Sequence, residues 1–272
     1  MKLFSQLILL IGFASSSAAI DLNGQMIQGG MIQGKVAPGT KLFLQGRQVF
    51  VNNKGVFAFG FSRDEKPNVI LKIQQENKNE ELIPLKIKQR KYKIQKINGL
   101  PKDKVSPTSK RHLEKIKADG ALVRQARNIR SQKANYSGTF IWPAAGRISG
   151  VYGSQRILNG KPRRPHFGVD IANKTGSKII APADGIVVLA EDNLYFSGGT
   201  IIIDHGGGIY SSFLHLSKIN VKVNQQINQG ENIALMGATG RVTGPHLDWR
   251  INWFNVRLDP ELIVSGKLLK NF

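Results

Sequence analysis

The chain has 272 residues, with 39 Lys and Arg against 18 Asp and Glu, a formal net charge of +21 and no cysteine. That length exceeds the needs of one small core and suits two modest domains joined by a linker. The lack of cysteine excludes disulfides, a lipid-bearing cysteine and thiolate metal sites, so any metal must be held by nitrogen and oxygen.

Residues 1–19 read as a secretory signal: Lys2 starts it, an apolar run from about Leu7 to Phe13 follows, and Ser17, Ala18 and Ala19 are small cleavage-site residues. The apolar run is shorter than the roughly 20 residues that span a bilayer, which favours a removed leader over an anchor. The expected place is therefore the periplasm or cell envelope. The cationic excess draws polyanions through long-range fields, and export removes nucleic acid from the candidates, leaving an anionic membrane surface and the wall. The sequence sets no oligomeric state.

Residues 20–98 carry short β-like runs at Lys41–Leu44, 48–51, 56–61, 69–73 and 82–87, broken by Gly, Asn and Pro. The cluster Asn52-Asn53-Lys54-Gly55 predicts a hairpin between the second and third runs. A small β-sandwich serving as a binding or spacing module is expected. Residues 86–96 hold six basic side chains and no acid, alternating with Ile87, Tyr92 and Ile94, which predicts a strand with one charged, solvated face.

Residues 99–135 are expected to be a basic helical linker. Leu113, Ile116, Leu122, Val123, Ala126 and Ile129 recur near every 3.6 residues within 107–132, Thr108 or Ser109 can cap the start, and Gly120 interrupts. The sparse apolar side should pack on a neighbouring sheet, with His112 at the surface.

Residues 136–272 read as mainly antiparallel β, with the clearest strands at 179–190, 200–204, 209–214 and Asn232–Met236. Three histidine settings stand out. In His166-Phe-Gly-Val-Asp170 the glycine and valine disfavour a helix, so the pair is expected to bridge a loop and a strand start, a placement from which both side chains can reach one cation. His215 lies between Leu214 and Leu216 at a strand end, a setting that by itself suits a half-buried structural residue. In Gly244-Pro-His246-Leu-Asp248-Trp249 the two-residue period puts His246 and Asp248 on one face and Leu247 and Trp249 on the other.

With the Ala181-Pro-Ala-Asp-Gly185 turn, the segment from Ile203 to Tyr210 and Gly237-Ala-Thr-Gly240, these motifs resemble the lysostaphin-type (LytM-like) peptidoglycan metallopeptidases over about residues 140–263. The patterning thus gives a mainly β chain, with an N-terminal small β-sandwich and a helical linker, and the resemblance implies that the C-terminal part is an antiparallel lysostaphin-type peptidase domain. It implies Zn2+ held by His166 and Asp170, a catalytic pair in His215 and His246, and hydrolysis of amide bonds in peptidoglycan stems or cross-links during wall remodelling. The family's third ligand is the second histidine of His-x-His, and here that position is Asp248. Aspartate binds zinc through oxygen, so His166, Asp170 and Asp248 form the expected set. Two carboxylates neutralise the dication, however, and acidify its water less. The alternative is a catalytically impaired homologue that binds peptidoglycan and activates another wall hydrolase.

Around this site, Arg156, Arg163 and Arg164 are loop cations able to grip stem-peptide carboxylates. His205 falls outside the family's metal site, and Trp249 and Trp253 are expected in the core.

Overall fold

The computed structural model describes residues 20–76, 79–129, 131 and 133–269, so the leader expected at 1–19 lies outside the described residues. Period-two patterning builds the N-terminal part. Along Asn68–Gln74, Val69, Leu71 and Ile73 are buried while Asn68 and Ile70 are exposed, as a half-buried strand requires. Two antiparallel sheets result. One joins Asp21–Gly24, Met31–Lys35 and Val56–Gly60, and the other runs Arg47–Val49, Lys41–Leu44, Asn68–Gln74, Glu81–Lys86.

The hairpin expected at Asn52 to Gly55 is cut back to a turn closed by the Asn52 amide on the Val56 carbonyl and a single antiparallel bridge from Val51 to Phe57. Arg47–Val49 pairs instead with Lys41–Leu44, across a turn in which Gln45 and Gly46 both have positive φ, while Val56–Gly60 pairs with Met31–Lys35. The two-residue turn matches the strand twist and takes the pairing. The Asn52 carboxamide oxygen accepts from the Lys54 and Val56 amides, so this cluster carries the chain from one sheet to the other. The basic strand expected at 86–96 shrinks to Ile94–Ile97, because Tyr92 leaves the ladder to lie 4.3 Å from the Arg63 guanidinium and against Tyr152.

Ile94–Ile97 pairs in parallel with Gln155–Leu158 of the C-terminal part. From there the chain passes through the short helix Lys102–Val105 to the long helix Lys110–Ala126, whose start is capped by Ser109 accepting from the His112 amide at 3.2 Å. Gly120 does not interrupt this helix. Of the expected apolar side only Val123 and Ala126 pack on the sheet, against Val188, Leu189, Ile202 and Tyr210, while Leu113, Leu122 and Ile129 are exposed. His112 is half-buried rather than free on the surface, its Nδ1 3.1 Å from the Tyr195 hydroxyl.

The C-terminal part is an antiparallel sheet of ten strands, whose central order is Gly185–Leu194, Gly198–Gly206, Ile209–Ile219, His246–Trp253, Val169–Ala172, Arg147–Gly150. One sheet face and the N-terminal sandwich share a single hydrophobic cluster. The Phe59 and Trp253 rings meet at 6.5 Å across this junction, and Gly60 is needed because a Cβ there would strike Leu258. Arg90 bridges to Asp259 at 2.7 Å over the same seam.

A core shared in this way predicts one cooperative unfolding transition for both halves. Phe59 is fully buried, and truncating a buried phenylalanine costs about 3–5 kcal/mol. Urea denaturation of Phe59→Ala, followed by tryptophan fluorescence and by circular dichroism, should show that loss in one transition shared by both probes. Two separated transitions would mean that the halves unfold independently.

Candidate functional site

The strand His246–Trp253 carries the centre of the site. Leu247, Trp249, Ile251 and Trp253 are buried in the core, so His246, Asp248, Arg250 and Asn252 project from the other face. Asp170 pairs directly opposite Asp248 on the neighbouring strand, and His166 reaches back from the loop before it. Gly150 makes room, since a methyl group there would collide with the Asp170 carboxylate.

His166, Asp170 and Asp248 therefore converge, with one donor atom from each within 4.8 Å of the others. His166 Nε2 lies 3.0 Å from Asp170 Oδ1 and His246 Nε2 3.9 Å from the same oxygen. Both His166 ring nitrogens and Asp170 Oδ1 are buried with no hydrogen-bond partner among the described residues. These atoms are open donors.

His215 arrives by a local irregularity. Residues 213 and 216 of its strand pair with 201 and 199 of the neighbour, a step of three against a step of two. The extra residue makes a β-bulge, with His215 at φ 70°, a conformation unusual for a non-glycine residue. The bulge returns Leu216 to the core and leaves His215 beside His246, ring centroids 4.8 Å apart. Its Nδ1 lies 2.8 Å from the Thr239 carbonyl and therefore carries the proton.

Arginines complete the constellation. Arg250, two residues past Asp248 on the same face, forks onto it: Nε donates to Oδ1 at 2.9 Å and Nη2 to Oδ2 at 2.5 Å. Arg156 donates to Asp170 Oδ2 at 2.5 Å. Burial works to raise the Asp248 carboxyl, but Arg250, helped by His166, holds it well below the usual range. Asp170 is also lowered, as His166 and Arg156 outweigh burial and the repulsion of Asp248.

The three donors converge on one point, and three-ligand binding of zinc requires Arg250 to release Asp248. Two donors are open, but both oxygens of the third residue are committed to a guanidinium. Two carboxylates and two guanidinium groups already balance, so a dication added there would be uncompensated in a buried space.

Above the site, the segment from Ile94 to Ser106 crosses the cleft. It is tied down by Arg163, whose Nη2 donates to the Val105 carbonyl at 2.9 Å, and by Lys104, which donates to the Tyr195 carbonyl at 2.8 Å. The space left over Asp170, His215 and His246 is about 160 Å³, with Gln95 and Leu100 of the crossing segment and Arg156 and Arg241 among its walls. Of the loop arginines, Arg156 is thus at the site, Arg163 anchors the crossing segment, and Arg164 is exposed and outside the cavity wall. His205 lies away from the site, fully buried between the Asp184 carbonyl at 2.7 Å and the Ser211 hydroxyl at 2.8 Å.

The model of peptidase family M23 matches residues 164–260, a span that contains His166, Asp170, His215, His246 and Asp248. These residues form an M23 peptidase domain. Over 122 residues the chain is 40% identical to the peptidoglycan DD-endopeptidase ShyA of Vibrio cholerae, an alignment covering 44% of this chain and 26% of that protein. Over another 122 it is 33% identical to the murein hydrolase activator NlpD of Escherichia coli, covering 45% and 30%. The chain thus spans under a third of the length of either relative. A crystal structure of a putative M23 peptidase from Pseudomonas aeruginosa superposes with a TM-score of 0.68 at 28% identity, covering 89% of this chain and 96% of that one. The likeness therefore extends beyond the M23 domain into the N-terminal half.

Burial lowers the pKa of His205 to about 4, against the opposing pull of Asp184. Its Nδ1–H donates to a carbonyl and its Nε2 accepts from Ser211, a neutral tautomer. A histidine with a depressed folded pKa is protonated first in the unfolded chain, so its stability contribution is complete above about pH 6.5 and is lost as pH falls toward about 4. His215, also lowered to about 4 by burial, acts with the same sign. Urea unfolding between about pH 7 and about pH 5 should show a stability slope that His205→Gln reduces by about one proton. A slope unchanged by the substitution would refute the neutral assignment.

Proposed function

We propose that the M23 domain of this chain is an envelope protein's peptidoglycan-recognition and regulatory module, acting on another wall hydrolase rather than cutting the wall through zinc. The observation that carries this reading is the fork of Arg250 on Asp248, which puts a fixed cation on the third ligand position. The roofed cavity of about 160 Å³ supports it, since pockets for drug-sized ligands run to about 300–1,000 Å³. The kinship with a protein named as a murein hydrolase activator agrees. Arg156 and Arg250 hold the two carboxylates in place. Residues 1–19 would deliver the protein to the periplasm or wall.

Hydrolysis is the second reading, and the observations that favour it are the adjacent His215 and His246 rings and the open atoms of His166 and Asp170. If Arg250 swung out, His166, Asp170 and Asp248 would be the residues to hold Zn2+, which would polarise the scissile carbonyl and activate water.

Metal analysis and digestion of purified peptidoglycan by the protein from Ile20 onward separate the two. The regulatory reading expects well under about one zinc per chain, no release of stem peptides, and co-sedimentation with sacculi that chelators leave unchanged. About one zinc with chelator-sensitive release would establish the hydrolase instead.

Removing Arg250 tests the fork directly. The side chains of Asp248 and Arg250 are 2% and 26% exposed, and breaking a buried pair from one side costs about 3–5 kcal/mol, with the low end expected here. Arg250→Ala should therefore lower stability by about 3 kcal/mol, and added zinc should recover much of it in the variant while leaving the parent protein unmoved. Equal zinc responses in both proteins would show that the fork does not exclude the metal.

A further inference from the structure

A second cavity, outside the cleft of His166 and His246, has a volume of about 510 Å³. Its wall combines Arg47 of the N-terminal sandwich, Arg124, Arg127 and Asn128 at the end of the long helix, and Asn255 of the turn after His246–Trp253. Three cations face it, and among the described residues no acidic side chain lines it.

Arg127 is the most deeply set of the three. Its Nη2 donates to the Ser212 hydroxyl at 3.2 Å, and its Nε is buried with no hydrogen-bond partner among the described residues. Burial, then the charge of Arg250, bring its pKa down to about 10. Behind it Arg257 donates to the neutral Asn252 carboxamide oxygen at 2.9 Å and is also lowered, by burial and then by Arg127 and Arg250. Arg127, Arg250 and Arg257 thus repel one another, and the carboxylates that act on them, Asp248 and Asp170, are already engaged by Arg250 and Arg156. The carbonyl end of the long helix supplies roughly half a negative charge, too little to balance two. A buried cation with an open donor and no counter-ion is costly unless an anion completes it.

We propose that this cavity binds a phosphoryl group, with Arg127 at its base and Arg47 and Arg124 closing from the two sides. Guanidinium groups fork onto phosphate oxygens, and three of them suit a dianion better than a single carboxylate. The group can belong to a soluble phosphorylated compound or to an anionic lipid headgroup. Either would link the N-terminal sandwich, the long helix and the M23 domain, since each supplies a wall of the cavity.

The test uses the chain from Ile20 onward and its Arg47→Gln/Arg124→Gln variant, both changes at exposed positions that leave the core intact. Inorganic pyrophosphate is titrated at ionic strength held constant with NaCl, by calorimetry and by tryptophan fluorescence, to which Trp253 contributes with the Arg47 guanidinium 5.5 Å over its ring. Phosphatidylglycerol vesicles are run in parallel by co-sedimentation. Saturable pyrophosphate binding, weakened at least about tenfold in the variant, is expected. Vesicle binding lost with it would assign the group to a lipid, and vesicle binding absent or unchanged would assign it to a soluble compound. Neither probe binding saturably to the parent protein, or pyrophosphate binding undiminished in the variant, would overturn the proposal.

Discussion

The alternation of one strand governs this molecule. Along His246–Trp253 the odd positions hold two tryptophans, a leucine and an isoleucine in the core, while the even positions hold His246, Asp248, Arg250 and Asn252. A slip of one residue would exchange the two sets, driving charges into the core. Because the apolar set is large, the register is fixed and the polar set is held by rigid packing below it. The adjoining strands inherit that register, which places Asp170 opposite Asp248 and Ser212 opposite Arg250.

Much of this was legible in the sequence because it depends on local period. The shared face of His246 and Asp248, the loop-to-strand path from His166 to Asp170, a helix cap at Thr108 or Ser109 and the buried tryptophans all follow from spacing alone. Arg250 was within reach by the same rule, since it continues the 246–248 series, but a charged residue declares no partner until the fold supplies one. His215 was harder. A leucine on each side suggests simple alternation, and only a long-range register mismatch reveals the bulge. The hairpin at Asn52, held to a single bridge, shows the same limit: a turn-forming cluster specifies a reversal, not which strand follows it into a sheet. Likewise the alternation across residues 86–96 gave way to stacking of Tyr92 with an arginine far away in sequence.

Electrostatics gives the two halves of the sheet face different characters. At one end carboxylates and guanidinium groups are matched, and the crossing segment from Ile94 to Ser106 shields them from water. At the other end guanidinium groups outnumber acids and face an open cavity. The long helix separates these regions, with Asp119 accepting from the Tyr195 amide near its middle and Arg127 closing its end. Burial of so many arginines is tolerable only because each has at least one hydrogen bond or carboxylate, and Arg127 is where that provision is thinnest.

The meeting of Phe59 with Trp253 also bears on how the chain reaches its final form. The N-terminal sandwich emerges first, yet the surface that covers Phe59 comes from near the other end of the sequence. Contacts so distant in sequence close slowly, because loop entropy must be overcome before they stabilise anything. Until then an aromatic patch stands exposed, inviting self-association of incomplete chains. Successful production of this protein should therefore depend less on final stability than on the shielding available while its last strands are still being made.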